Sequence, residues 1–250
     1  MSNLVETTRR DDVVTLTMNR PDKRNALSVD LIEALGAAVD EVAADDSIRV
    51  LILAGAGRSF CAGMDLQGVL DDAEAMAGML RRLSEVSRAI RRLSIPTIAR
   101  VQGAAVGGGC GLMVVADFAI THPEAKIGYP EVSLGVCPAV VAPWLMKKVG
   151  AGRARALLLG GGTMGGDDAF EIGLVNDLVA ADDLVESADE LADRLVKGGA
   201  HAMAVTKRWL NELDGSDEDA ALDKAWRLSA EVIAGPEAQE RLAAIFASKS

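Results

Sequence analysis

Two turns built from small residues, Ser59-Phe-Cys-Ala-Gly-Met-Asp-Leu66 and Val106-Gly-Gly-Gly-Cys-Gly-Leu112, constrain this chain more than any other feature. Each follows an apolar, strand-like run and opens what reads as a helix, so each is a strand-to-helix corner of an α/β protein. Glycine lets the backbone turn tightly and approach a ligand closely. The N–H groups at a helix start carry partial positive charge and suit an anionic oxygen. Two such corners can supply the converging donors of an oxyanion hole, although packing corners of the same composition are equally common. A dinucleotide fingerprint fits poorly, because Leu112 stands where its third Gly or Ala belongs. No Gly-Lys-Ser/Thr ending follows, which rules out a phosphate-binding P-loop.

The rest of the chain alternates in the same way. Val13 to Asn19 reads as a strand with Val14, Leu16 and Met18 on one face. After a loop over 20–27, Ser28 is placed to cap a helix whose stripe is Leu31, Leu35, Val39 and Val42. Val50 to Ala54 is wholly apolar and predicts a buried strand. A helix is expected over 72–93, with Met76, Met79, Leu80, Leu83, Val86 and Ile90 inward, and Pro96 ends it. Strands follow at 97–101, 118–120 and near Ile127, with a helix over 109–116. Beyond about residue 182 only helical periodicity remains, over 183–197, 201–213, 217–234 and 236–247. We therefore expect an α/β core over 1–182 and a helical region over 183–250.

Composition narrows the function. Half of the 250 residues are hydrophobic and 25% are charged, ordinary for a protein with a sizeable core. A net charge of −11 and a pI near 4.7 argue against nucleic acid or an anionic membrane as a partner. An anionic substrate must therefore find a local group of Lys and Arg. Cys61, Cys110 and Cys137 have no metal-type spacing and read as reduced thiols of a cytoplasmic protein. With only His122 and His201 present, no His-rich metal site is expected and a His-dependent triad has weak support. No signal-peptide pattern opens the chain and no long apolar run crosses it.

Five segments in order carry a resemblance: Asn19-Arg-Pro-Asp-Lys-Arg-Asn-Ala-Leu-Ser28, Phe60-Cys-Ala-Gly-Met-Asp-Leu66, Gly107-Gly-Gly-Cys110, Pro130-Glu-Val-Ser-Leu-Gly135 and Ala169-Phe-Glu-Ile-Gly-Leu-Val175. Together they resemble the enoyl-CoA hydratase/isomerase (crotonase) family. The resemblance implies a spiral of ββα repeats with a C-terminal helical subdomain that serves oligomerisation and covers the active site. It implies homotrimers or dimers of trimers, acyl-CoA thioester substrates and no separate cofactor, coenzyme A being part of the substrate. By the same match, the backbone N–H groups of Met64 and Gly108 would hold the thioester oxygen. Ala26, Leu27, Ala62, Asp65 and Leu66 match the path of CoA and pantetheine, and Gly63, Gly107, Gly111 and Pro130 complete the binding set. Glu131 is the acid/base candidate, since hydration and double-bond migration both move a proton beside the thioester. Lys23 and Arg24, with Arg20 and Arg58, are candidates for the CoA phosphates. Tyr129 is expected to pack or line the pocket.

One position departs from the pattern. Hydratases of this type carry a second Glu just after the Gly-Gly-Gly-Cys turn, and here that position is Gly111. The segment Gly135 to Trp144, with Pro138 and Pro143, resembles the Pro-Ala-x-x-x-Pro variants of branched-chain hydratases, where the second Glu can be absent. Hydration of a 2-enoyl-CoA is the favoured expectation. A Δ3,Δ2-enoyl-CoA isomerase using a single Glu is the alternative, and a non-catalytic acyl-CoA-binding protein the next.

Overall fold

In the computed structural model, which describes residues 3–69 and 72–247, two small sheets are surrounded by helices. The strands are β1 (Val5–Arg10), β2 (Val13–Met18), β3 (Val50–Gly55), β4 (Thr97–Arg100), β5 (Ala104–Val106), β6 (Phe118–Thr121), β7 (Lys126–Gly128), β8 (Thr163–Met164) and β9 (Asp177–Leu178). The first five helices are α1 (Val29–Ala44), α2 (Ala73–Arg92), α3 (Gly108–Val115), α4 (Ala142–Gly160) and α5 (Gly166–Glu171). The C-terminal four are α6 (Leu184–Val196), α7 (Ala200–Asp214), α8 (Asp219–Ile233) and α9 (Pro236–Ala247). One sheet runs β1-β2-β3-β4-β6-β9, antiparallel only at its first pair; the other runs β5-β7-β8.

The two-residue period of the strands divides the interior. Val14, Leu16, Leu51 and Leu53 face the main core with α1, α2 and α3. Val13, Val50, Ile52, Ile98 and Ile120 point the other way, onto Leu184, Ala188, Leu191 and Ala192 of α6. All six residues of β3 are therefore buried, as its unbroken apolar run predicts. Ser28 caps α1 by accepting from the Leu31 N–H at 3.2 Å, and the six-residue stripe expected on α2 is buried.

One corner differs from expectation, and β1 and α4 are not among the elements read from the sequence. The Ser59–Leu66 corner does not open an α-helix: it runs into a single 3₁₀ turn, Leu66–Gly68, and α2 starts only at Ala73 behind an Asp72 cap. Strand β1 lacks an alternating pattern, because five of its six residues are exposed. Helix α4 bends at Gly150 (φ 80°, ψ 158°), which interrupts its periodicity. The C-terminal helices match their expected spans within a few residues and clasp the core. Helix α8 lies along α2, where Arg88 pairs with Asp219 and Asp223, and α9 abuts the Glu131–Leu134 turn. No described helix is long and apolar enough to cross a membrane.

Candidate active site

Three distant segments meet edge to edge at the two corners. Leu27 bridges Met64 in parallel, with the Leu27 N–H donating to the Gly63 carbonyl and the Asp65 N–H donating to the Leu27 carbonyl, each at 2.8 Å. Cys61 bridges Ala105 in the same manner, through Cys61 N–H to Ala104 O at 2.9 Å and Val106 N–H to Cys61 O at 3.0 Å. These pairings hold Met64 beside the start of α3, where a Cβ on Gly108 would touch the Met64 side chain at 3.4 Å. Among the described residues, neither the Met64 nor the Gly108 N–H donates to a backbone carbonyl. Gly108 is the first residue of α3, so its N–H is one of the donors a helix leaves unpaired.

Ahead of this corner, residues 20–27 form a rigid shoulder. Arg24 and Asn25 both adopt positive φ, 51° and 55°. Asn25 is fully buried; its side chain accepts from the Arg20 N–H at 2.8 Å and donates to the carbonyls of Ala56 and Ser59 at 2.9 and 2.8 Å. Sequence reasoning missed this pin, although Asn is the side chain most tolerant of such a backbone. Arg20 is not free for an anion, since it pairs with Asp65 at 2.9 Å and also donates to the Ala26 carbonyl. Lys23 and Arg24 stand exposed on the shoulder, and Arg58 is exposed on the turn beyond β3. Ala26, Ala62, Asp65 and Leu66 are half-buried where shoulder and corner meet, and Leu27 and Gly63 are buried.

The carboxyl group of Glu131 reaches this place from a third direction. Glu131 opens a short 3₁₀ turn after Pro130, and a Cβ on Gly107 would lie 2.9 Å from its Oε1. Gly107 itself has φ 55°, so position 107 excludes a side chain both by its backbone and by its neighbour. Burial pushes Glu131 up to about 7, partly offset by its own backbone N–H, and its Oε2 is buried without a hydrogen-bond partner among the described residues. A carboxyl group one residue from the free Gly108 N–H can thus exchange protons near neutral pH. Behind it, Tyr129 and Cys110 are fully buried; burial pushes the Cys110 thiol up to about 12 and the Tyr129 phenol well above its usual range. Both are neutral packing groups.

Gly111 packs against the start of α4. A Cβ there would meet Cγ1 of Val141 at 2.5 Å, so a valine methyl occupies the first atom's worth of any side chain at that position. Val141 caps α4 and is buried. The loop before it is tied down by Ser229 of α8, which donates to the Cys137 carbonyl at 2.8 Å and accepts from the Val140 N–H at 3.3 Å. His122 is also occupied structurally: its Nε2 accepts from the Gly103 N–H at 2.9 Å and its Nδ1 lies 3.0 Å from Glu124. No described group of three or more His, Cys, Asp or Glu could hold a metal ion.

Comparison with known proteins places this arrangement. The model of the enoyl-CoA hydratase/isomerase family matches residues 8–247. A crotonyl-CoA hydratase of Syntrophomonas wolfei is 35% identical over 217 residues, spanning 86% of this chain and 84% of the relative. A 1,2-epoxyphenylacetyl-CoA isomerase of Escherichia coli is 34% identical over 218 residues, spanning 84% and 83%. The crystal structure of an enoyl-CoA hydratase from Mycobacterium avium subsp. paratuberculosis superposes with a TM-score of 0.87 at 26% identity, covering 96% of this chain and 98% of that one.

Proposed function

The chain belongs to the enoyl-CoA hydratase/isomerase family, and on that premise we propose that it adds water across the double bond of a 2-enoyl-CoA thioester. The observation that carries this reading is the placement of one partly desolvated carboxyl, Glu131, against Gly107, next to the unpaired N–H of Gly108. In this reading the Met64 and Gly108 N–H groups bind the thioester oxygen and stabilise the negative charge that develops there. Glu131, as carboxylate, takes a proton from water while the water oxygen bonds to C3. The electron pair of the C2–C3 double bond moves toward the thioester as an enolate. Glu131 then delivers its proton to C2, the enolate collapses, and the carboxylate is restored. One carboxyl group closes the cycle because it is both base and acid, and its position near neutrality suits both roles.

Lys23 and Arg24 meet the CoA phosphates on the exposed shoulder, while Ala26, Leu27, Ala62, Gly63, Asp65 and Leu66 line the pantetheine path. Asp65 acts there through its ion pair with Arg20, which fixes the shoulder to the corner. The helical region 183–250 is a cover and an assembly surface for three copies or two such trimers. That role is supported by α9 against the Glu131 turn and by exposed Trp209 and Leu213 on α7.

A second reading has one observation in its favour. Val141 stands against Gly111, so no carboxyl group comes from that position. An isomerase needs none: Glu131 would remove a proton from C2 of a 3-enoyl-CoA and return it at C4. The two readings separate when purified protein is given matched 2-enoyl and 3-enoyl thioesters and the products are weighed. Gain of one water by the 2-enoyl substrate supports hydration. A 3-enoyl to 2-enoyl shift without gain of water replaces it with isomerisation.

A further inference from the structure

A concave site separate from Glu131 lies at the other end of α3, where Val114 and Ala116 line it. Helices α4, α6 and α7, with the start of β6, enclose a cavity of about 540 Å³ whose lining includes none of Glu131, Met64 or Gly108. Met203, Lys207, Leu210 and Asn211 line it from α7 at helical spacing, and Trp144, Lys147 and Lys148 line it from α4 in the same way. Its size falls within the range of small-molecule sites.

The polar end is cationic in a chain of net charge −11. Arg91, Lys147, Lys148 and Lys207 line it against a single carboxylate, Asp117. Asp117 is already saturated: its Oδ2 accepts from Lys207 at 2.7 Å, the Thr97 N–H at 2.8 Å and the Thr97 hydroxyl at 2.9 Å. Arg91 pairs with Asp214 at 2.9 Å. That leaves Lys147 and Lys148 in excess, and among the described residues neither forms an ion pair. Lys147 donates to the Asp214 carbonyl and Lys148 to the Asn176 side-chain oxygen at 2.9 Å. Burial, reinforced by Arg91 and partly offset by Asp117, holds Lys148 down at about 8. Two further donors in the lining, the Trp144 Nε1 and the Arg91 Nε, are buried without a hydrogen-bond partner among the described residues, and Trp144 is 2% exposed. Apolar side chains make up much of the remaining lining, among them Phe118, Leu195, Met203 and Leu210.

From this pairing of an uncompensated cationic end with an apolar lining, we infer that the cavity binds a medium-chain carboxylate, head toward Lys147 and Lys148 and chain along Leu195 and Met203. The inference stands apart from the chemistry at Glu131.

Calorimetric titration of the full chain with octanoate tests it, with octanol and octylammonium as neutral and cationic counterparts. The expected result is one octanoate per chain, bound at least tenfold more tightly than octanol, with no octylammonium binding. Lys148→Met should weaken octanoate about tenfold at an unchanged melting temperature. Ala202→Trp, at the mouth, should abolish binding, and Glu131→Gln should leave it intact. Octanoate no tighter than octanol would overturn the inference, as would binding indifferent to both Lys148→Met and Ala202→Trp. Displacement by acyl-CoA would place the ligand in the thioester site instead. Loss of binding with rising protein concentration would mean that a second copy of the chain covers the cavity.

Discussion

Cγ1 of Val141 stands 2.5 Å from the point where a side chain at Gly111 would begin. Position 111 does not merely lack a carboxyl; Val141 fills the space that a side chain there would need. Gly111→Glu should therefore fail as a simple restoration. Overpacking costs about 1–3 kcal/mol, and a carboxylate pressed on apolar neighbours adds to that. A fall in melting temperature of several degrees is expected, with no gain in hydration. Gly111→Glu with Val141→Ala should recover most of the loss. Equal melting temperatures for Gly111→Glu and the parent would show that Val141 does not hold that space.

Glu131→Gln keeps the shape of the side chain and removes its proton chemistry. Turnover should fall by about 10²–10⁴-fold, while the affinity for a saturated acyl-CoA stays within about twofold. Parallel kinetics and calorimetry check both halves. Turnover close to that of the parent would remove Glu131 from the mechanism.

The same residue makes stability depend on pH. Its folded-state value of about 7 lies above the ordinary 4.5, so between those values the folded chain binds the extra proton. The stabilisation is full below about 4.5 and is lost as pH rises through about 7. At pH 8 the ionised, desolvated carboxyl costs up to about 3 kcal/mol. Glu131→Gln should thus raise the urea midpoint at pH 8 and leave it nearly unchanged at pH 4.5. Activity runs the opposite way: kcat/KM for hydration should rise with pH to a plateau, with a midpoint near 7. A midpoint near 4.5 would show that the carboxyl is solvated.

Asn25 joins the shoulder to the turn that carries Met64. Asn25→Ala removes three hydrogen bonds from a fully buried site and leaves a positive-φ backbone without the side chain that favours it. A loss of about 2–4 kcal/mol follows, measurable as a shift in urea midpoint, together with a higher KM for acyl-CoA. An unchanged midpoint would contradict the role given to this side chain.

Legibility in the sequence followed periodicity. The run of β3 was readable because it is apolar throughout, and α2 and the C-terminal helices because their apolar residues recur at helical spacing. Strand β1 was not, because pairing with β2 holds it while five of its six residues face solvent. Helix α4 was hidden by the Gly150 bend and by a mostly exposed surface. At the site, Met64, Gly108 and Glu131 were implied by the resemblance of the ordered segments to the family. What no local pattern carries is contact between distant segments: Val141 against Gly111, Arg20 on Asp65, or Lys207 buried against Asp117. The last reads in sequence as a solvated helix charge and is only 8% exposed in the structure.

The bridges of Leu27 to Met64 and of Cys61 to Ala105 also bear on how the protein acquires its chemistry. Neither corner can be aimed until three segments far apart in the chain have been drawn together, and such loops close late because their entropy must be overcome first. A chain still emerging from the ribosome, or one whose central sheet has slipped, would present no pair of converging N–H groups to a thioester. Reactivity toward the substrate is thereby a report on completed folding.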